Sequence, residues 1–276
     1  MASIESSYRS FLQCINEERW QALLNYASSP LNLNGENVLP LSAFADKIKA
    51  AGRTELVVDA ITVDERTRRL GATVLTKYQP KGTTDKTISF IEHHLIWVED
   101  DGKISKMGTM LDHDELHRQL SDPSYSSTPD LIGDYGTVAG RAISTRELEE
   151  TYRAYIGCIN AQTMEAKLSK FCHPEVIHNA KTHSLEQYRL LIQEAFTAVP
   201  NIVFGIDTVI ADEKVQRVAV RLEFTGTPTG KLAGIEPTGR SVRFYEYVTY
   251  YFEGGKIARV WSIVDWQSYR KQLSQK

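Results

Sequence analysis

At 276 residues, with 42% hydrophobic and 24% charged side chains, the chain has the balance of a water-soluble globular protein and the length of two ordinary domains. A formal net charge of −3 excludes the basic surface of a nucleic-acid binder, so no DNA or RNA partner is expected. There is no basic N-terminal stretch leading into an apolar run and no segment of roughly eighteen consecutive apolar residues, so neither export nor a membrane partner is expected, and the location should be cytoplasmic. Cys14, Cys158 and Cys172 cannot all pair, which fits buried structural thiols in a reducing compartment.

The chain is written twice. Tyr8–Asn16 (YRSFLQCIN) returns 144 residues later as Tyr152–Asn160 (YRAYIGCIN), and Asp112 with Leu120 returns 153 residues later as Asp265 with Leu273. A period this long is no solenoid unit, so each copy should carry its own core. The expected domains are residues 1–120 and 144–276, joined by a Ser-, Pro- and Gly-rich linker over 121–143. Duplication also supplies an internal control: a polar residue present in one copy only is a candidate for function, whereas one kept in both can serve the fold.

In copy one, Ile4, Tyr8, Leu12 and Ile15 recur at helical spacing and predict a first helix with one buried stripe. A second helix is predicted from Leu41 to Ala50, followed by strands that include Leu70–Tyr78 and Ile88–Val98, and a short helix begins at Asp112. Copy two opens with Ser144-x-x-Glu147, a capping box in which hydroxyl and carboxylate satisfy free helix N–H groups reciprocally. Leu148, Tyr152, Ile156 and Ile159 then repeat the first stripe, Leu185–Ala198 predicts the second helix, and Val215–Thr225 and Val242–Phe252 predict strands. Helices first and then four strands in each copy make an α+β domain, its helices covering one face of a curved antiparallel sheet.

Strand Val242–Phe252 divides its side chains between two faces. Arg243, Tyr245, Tyr247, Thr249 and Tyr251 form a polar-aromatic face suited to a cavity wall, since phenols combine apolar bulk with a hydrogen-bonding tip. Val242, Phe244, Glu246, Val248, Tyr250 and Phe252 form the face expected to pack against another sheet. Arg221 and Glu223 alternate on the neighbouring strand and could orient a substrate oxygen or form a solvated ion pair. In copy one, Glu92 and His94 are read as equivalent to Tyr245 and Tyr247 and form a candidate acid/base pair near Asp112. His113 and His117 have zinc-ligand spacing, but the run lacks the Glu of the zincin pattern and copy two carries Trp266 and Arg270 there, so no metal is expected. Cys172 beside His173 is read as a structural thiol rather than a nucleophile, because adjacent residues rarely face each other. The glycine-rich loop 227–240 lacks the ending of a phosphate loop and is expected to form a flap over a pocket.

Three stretches of copy two carry a family resemblance: Cys172–Asn179 (CHPEVIHN), Gly234–Arg240 (GIEPTGR), and Gly255–Asp265, which ends in Trp261-x-x-x-Asp265. Together they resemble the SnoaL-like polyketide cyclases over most of residues 144–276, while copy one is a degraded relative with Gly108 in place of Trp261. The resemblance implies two cone-shaped α+β barrels of the nuclear transport factor 2 type, with helices closing each curved sheet over a pocket. It implies cofactor-independent cyclisation or isomerisation of a small apolar polyketide- or terpenoid-type intermediate, by acid/base proton transfer. The family's pocket Asp falls on Asp265, whereas its catalytic His has no counterpart on the strand that holds Tyr247, Thr249 and Tyr251.

The expected catalytic set is Asp265, His178, Tyr245 and Tyr247, with Trp261, Arg221, Arg243 and Tyr251 contacting substrate and Asp112, His94 and Glu92 forming a secondary site in copy one. Asp265 is equally well placed to cap the helix that follows it, as Asp112 would in copy one. The alternatives are a non-catalytic binder of small hydrophobic ligands and a dehydratase or epoxide hydrolase on the same fold. The expected partner is a small hydrophobic substrate; the two copies would pair as an intramolecular pseudo-dimer, leaving room for a further homodimer.

Overall fold

The computed structural model describes residues 3–35, 37–82, 87–122, 124–133 and 141–274. It divides into two compact units, Met1–Gly136 and Thr137–Lys276. Among the described residues each unit holds one six-stranded sheet and its own apolar core.

Unit one runs α1 (Ile4–Asn16), β1 (Ala27–Leu33), β2 (Asn37–Leu39), α2 (Leu41–Ala51), β3 (Gly52–Asp64), β4 (Arg69–Pro80), β5 (Ile88–Val98), β6 (Ile104–Leu111) and α3 (His113–Ser121). Unit two repeats this as α4 (Thr145–Asn160), a short α5 (Met164–Lys167), β7 (Cys172–His178), β8 (Lys181–Ser184), α6 (Leu185–Ala198), β9 (Val203–Asp212), β10 (Arg217–Gly226), β11 (Val242–Glu253), β12 (Lys256–Val264) and α7 (Trp266–Ser274). The sheet orders, β2-β1-β6-β5-β4-β3 and β8-β7-β12-β11-β10-β9, are the same path taken twice.

The long strands form an antiparallel meander, but β1 pairs parallel to β6 and β7 parallel to β12. Each sheet is therefore mixed and carries more strands than the four expected. The additional strands are short and partly polar, Pro30 and Pro174 interrupt β1 and β7, and neither shows the long alternation that marks a strand in sequence.

The capping box at α4 is present, with Ser144 Oγ accepting from Glu147 N and the Glu147 carboxylate accepting from Ser144 N at 2.8 Å. Ser184 caps α6 in the same way through Gln187. These caps fix where the two helices begin, and their buried faces (Leu148, Tyr152, Tyr155, Ile156 and Ile159 on α4; Tyr188 and Phe196 on α6) pack against the inward face of the sheet.

Part of the expected linker is bound to unit one. Ile132 is buried, and the amides of Ile132 and Gly133 donate to the Asp59 carboxylate at 2.6 and 2.9 Å. Residues 123 and 134–140 of that linker lie outside the described residues.

Candidate active site

Unit two holds a half-open cavity of about 220 Å³ between α4, α6 and the inward face of β9–β12, with the exposed Leu191 and Glu194 among its lining. Period-two alternation along β11 sends Phe244, Glu246 and Tyr250 into it. This reverses the expected assignment of faces: the cavity wall is the more apolar face, and the Arg243–Tyr251 face lies on the other side of the sheet. The apolar face fills the cone because helices α4 and α6 cover it. Tyr155 and Ile159 from α4, Tyr188, Ile192 and Ala195 from α6, and Trp266 at the start of α7 complete most of the wall.

Glu246 is the carboxylate in this wall that sits deepest among aromatic groups. It is partly buried and lines the cavity, and Ser262 Oγ donates to Oε1. Burial among Phe244, Tyr250 and their neighbours opposes ionisation and raises the carboxyl to about 7, although the Ser262 hydrogen bond works the other way. Near neutral pH this residue can therefore both give and take a proton.

His178, the last residue of β7, also lines the cavity, its ring centroid 6.1 Å from Tyr188 and 6.3 Å from His183. Burial, helped by the nearby His183, lowers its imidazole to about 4, so it is neutral at physiological pH. Tyr155 and Tyr188 place their hydroxyls 2.9 Å apart, and burial raises both phenols well above their ordinary value. These groups are fixed, uncharged hydrogen-bonding partners in an aromatic cage. The 227–240 loop contributes Leu232, held by a bridge to Ile235, while Thr229 and Gly230 donate to the Ala198 carbonyl at 2.9 and 3.0 Å.

Of the four expected catalytic residues, His178 alone lines this cavity. Asp265 sits at the N-terminus of α7, where Oδ1 accepts from Ser268 N at 2.9 Å. It caps the helix, as its sequence position allowed, and does not line the cavity. Tyr245 and Tyr247 lie on the opposite face of β11, with the Arg221 guanidinium 3.7 Å and 5.9 Å from their ring centroids. Tyr245 donates to Glu223 at 3.1 Å, Arg243 approaches the same carboxylate at 3.4 Å, and Arg221 pairs with Asp207 at 3.3 Å. Trp261 and Tyr251 alternate onto that same face, opposite the cavity-lining Val260, Ser262 and Tyr250. The expected substrate-binding group is thus a cluster separated from the cavity by the sheet itself.

In unit one the expected Glu92–His94 pair is present. Thr76 Oγ1 donates to Glu92 Oε1 at 2.8 Å, Glu92 Oε2 lies 3.2 Å from His94 Nε2, and His94 Nδ1 lies 2.7 Å from the Tyr8 hydroxyl. Asp112 is not in this chain; it caps α3, accepting from the amides of Asp114 and Glu115, each at 3.0 Å. Register also corrects the pairing of copies. Glu92 faces Val74 and Leu111, and Glu246 faces the matching Leu222 and Val264. Glu92 is therefore the counterpart of Glu246, and His94 of Val248.

Among the described residues no group of three or more His, Cys, Asp or Glu side chains is arranged to hold a metal. His113 and His117 are both exposed. Cys172 is buried and its thiol is pushed up to about 12 by that burial, while His173 Nε2 lies 2.8 Å from the Glu253 carbonyl. Among the described residues no helix is long and apolar enough to cross a membrane.

A family model for SnoaL-like polyketide cyclase matches residues 149–273, the segment that builds this cavity. A SnoaL-like polyketide cyclase from Agrobacterium tumefaciens is 33% identical over 48% of this chain and 100% of its own length, with a TM-score of 0.44. The chain belongs to the SnoaL-like polyketide cyclase family. TsrD from Streptomyces laurentii is 20% identical over 48% of this chain and 98% of its own, with a TM-score of 0.44. No curated protein matches. Within the SnoaL-like family this chain is a tandem of two sheet-and-helix units, and the cavity of its second unit carries two carboxylates, the exposed Glu194 and the partly buried Glu246.

Proposed function

We propose that unit two is a cofactor-independent acid/base catalyst of ring closure or isomerisation, acting on a small apolar carbonyl compound of natural-product metabolism. The observation that carries this reading is the Glu246 carboxyl lining a cavity walled by Phe244, Tyr250, Tyr155 and Tyr188, where burial pushes it up to about 7. Membership of a cyclase family supports a reaction of this type.

In the proposed step, ionised Glu246 takes a proton from a carbon beside a substrate carbonyl. The electron pair of the broken C–H bond moves into an enolate. For cyclisation, the enolate carbon attacks a second carbonyl of the same molecule, forming the ring C–C bond, and the resulting alkoxide recovers the proton from Glu246. For isomerisation, the proton returns to a different carbon. Neutral His178 and the Tyr155–Tyr188 hydroxyl pair are fixed dipoles able to stabilise the oxyanion without adding a competing charge.

The test uses 2-tetralone in deuterated water, with loss of its α-proton signal followed by NMR. Wild-type protein should accelerate exchange, and Glu246→Gln should lower the rate by about 10²-fold or more. Exchange unaffected by Glu246→Gln would overturn the assignment. A second reading, storage or transport of a hydrophobic ligand, is favoured by the largely apolar wall and would show saturable binding without any exchange.

A further inference from the structure

Unit one carries an open cleft of about 340 Å³ where the ends of α1 and α2 meet the start of β3 and the end of β4. Glu92, His94 and Tyr8 do not line it. Its floor is apolar, built from buried Ile15 and half-buried Trp20, Ile48 and Pro80. Its exposed lining is charged: Lys49, Arg53 and Lys81 stand against Glu18. The cations come from three places, α2, β3 and the turn after β4. The Lys49 ammonium lies 5.1 Å from the centroid of the Trp20 indole and 3.3 Å from Asp46.

Comparison of the two units gives the cleft a cause. Lys49 and Gln193 hold the same place in α2 and α6, whereas Arg53, opposite Gln79, matches Asn201, whose side chain accepts from Thr227 N. Unit two is therefore longer here by residues 196–199, which form a further turn of helix and its exit. Phe196 of that turn stacks on Phe204 at 5.6 Å, and the Ala198 carbonyl accepts from Thr229 and Gly230. Helix α2 lacks the turn and passes straight into β3 at Gly52, where φ is +145° and the Gln79 carbonyl stands where a Cβ would be. Only glycine takes that path. What the second unit fills, the first leaves open.

The duplication also shows that the charges are not demanded by the fold. Glu18 matches Gln162, both in left-handed backbone at φ 55° and 51°, and Pro80-Lys81-Gly82 matches Pro228-Thr229-Gly230. Each charged residue of the cleft thus has an uncharged counterpart: Gln162, Gln193, Asn201 and Thr229. Trp20 stands where unit two has Met164. Three cations gathered at one mouth repel one another, a cost that a bound anion removes. A phosphate monoester brings about −1.5 to −2 charges at neutral pH and three strong acceptor oxygens. That suits a guanidinium fork flanked by two ammonium groups better than a carboxylate does, with one charge in one plane.

We propose that this cleft is a second ligand site, taking a small soluble phosphate monoester. Arg53, Lys81 and Lys49 hold the phosphate, and the carbon body lies against Trp20, Ile48 and Pro80.

Calorimetric titration of the intact chain with phenyl phosphate tests this. Binding should saturate and should weaken between about 0.02 M and about 0.3 M salt, because the cations are exposed. Benzoate should bind at least about threefold more weakly. The double variant Arg53→Asn, Lys81→Thr carries the residues unit two has at these places and should lower phenyl phosphate affinity about fivefold or more. No saturable binding, equal affinity for benzoate, or a folded double variant with unchanged affinity would each overturn the proposal. Should the variant fail to fold, indole NMR of the wild-type protein locates the ligand: the Trp20 signal should move, and shifts confined to Trp97, Trp261 or Trp266 would refute the site. Vesicles of equal parts phosphatidic acid and phosphatidylcholine should not pellet the protein. Pelleting that the double variant abolishes would overturn the soluble ligand in favour of a lipid headgroup.

Discussion

Replacing Glu246 with Gln should stabilise the protein above neutral pH while removing its proton-transfer activity. Burial moves the Glu246 carboxyl from 4.5 to about 7, a shift equivalent to roughly 3 kcal/mol against the ionised form. Between pH 4.5 and about 7 the folded chain holds this proton and the unfolded chain does not, so stability falls as pH rises through that window. His178 has the opposite sign. Its imidazole is lowered from 6.5 to about 4, so the unfolded chain binds the extra proton and stability falls as pH drops from 6.5 towards 4. In the wild-type protein the two slopes, each up to about 1.4 kcal/mol per pH unit, oppose one another over most of the same range. Glu246→Gln should leave unopposed the slopes of His178 and of His93, whose imidazole burial lowers to about 3: stability should climb from pH 4 to 6.5 and then level off, above wild type by about 1–3 kcal/mol at pH 8 once screening by cavity water is allowed for. Urea unfolding at a series of pH values, followed by tryptophan fluorescence, measures this. A variant less stable than wild type at pH 8, or pH profiles that run parallel, would show that the carboxylate is not desolvated and would remove the basis of the proposed chemistry.

Asp265→Asn should leave both tetralone exchange and stability close to wild type, because Asn caps helices as well as Asp does, whereas Asp265→Ala should cost about 1 kcal/mol in urea unfolding; lost exchange in the Asn variant would return Asp265 to the chemistry. Tyr155→Phe and Tyr188→Phe should each destabilise by about 1–3 kcal/mol, with the double variant costing less than the sum, since the second change removes a hydroxyl already stripped of its partner. An aromatic disulfide reagent should leave Cys172 unmodified until urea unfolds unit two, because the thiol is buried and held up to about 12; rapid labelling in the native state would contradict that burial. Gly226→Ala should destabilise by about 1–3 kcal/mol, as its Cβ would lie 2.6 Å from Val199 Cγ1 and 3.1 Å from the Ile202 backbone, and calorimetry showing an unchanged transition would refute that contact.

The duplication, the helix cap on α4 and the long meander strands were legible because each rests on local pattern: an apolar stripe, a Ser-x-x-Glu box, or alternation over ten or so residues; Ser184-x-x-Gln187 carried the same signal for α6 and went unread. The parallel strands β1 and β7 were not, since their pairing depends on partners far along the chain and their own sequences are short and broken by proline. The inward face of β11 was misassigned for a related reason. Alternation separates two faces but does not say which one the helices will cover, and the tyrosines of the outer face drew attention from a lone Glu on the apolar one. That lone Glu was itself a signal: an acidic residue flanked by Phe244, Val248 and Tyr250 on one face of a strand is costly unless it serves a purpose. The internal control did not bring it out, because sequence alignment of the copies sets Glu92 against Tyr245, one residue out of the register that the strands adopt.

That shared register bears on descent. A Glu at one position in both units implies that the carboxylate was present before the two halves were joined, and that divergence since then has fallen on its neighbours. In the first half, His94 in place of Val248 and Thr76 in place of Phe224 give the acid company on both oxygens and link it to Tyr8, whose counterpart Tyr152 still stands in the second half. The two lineages thus part at a few side chains around an inherited acid, with one becoming a closed internal network and the other keeping its acid turned towards an open space.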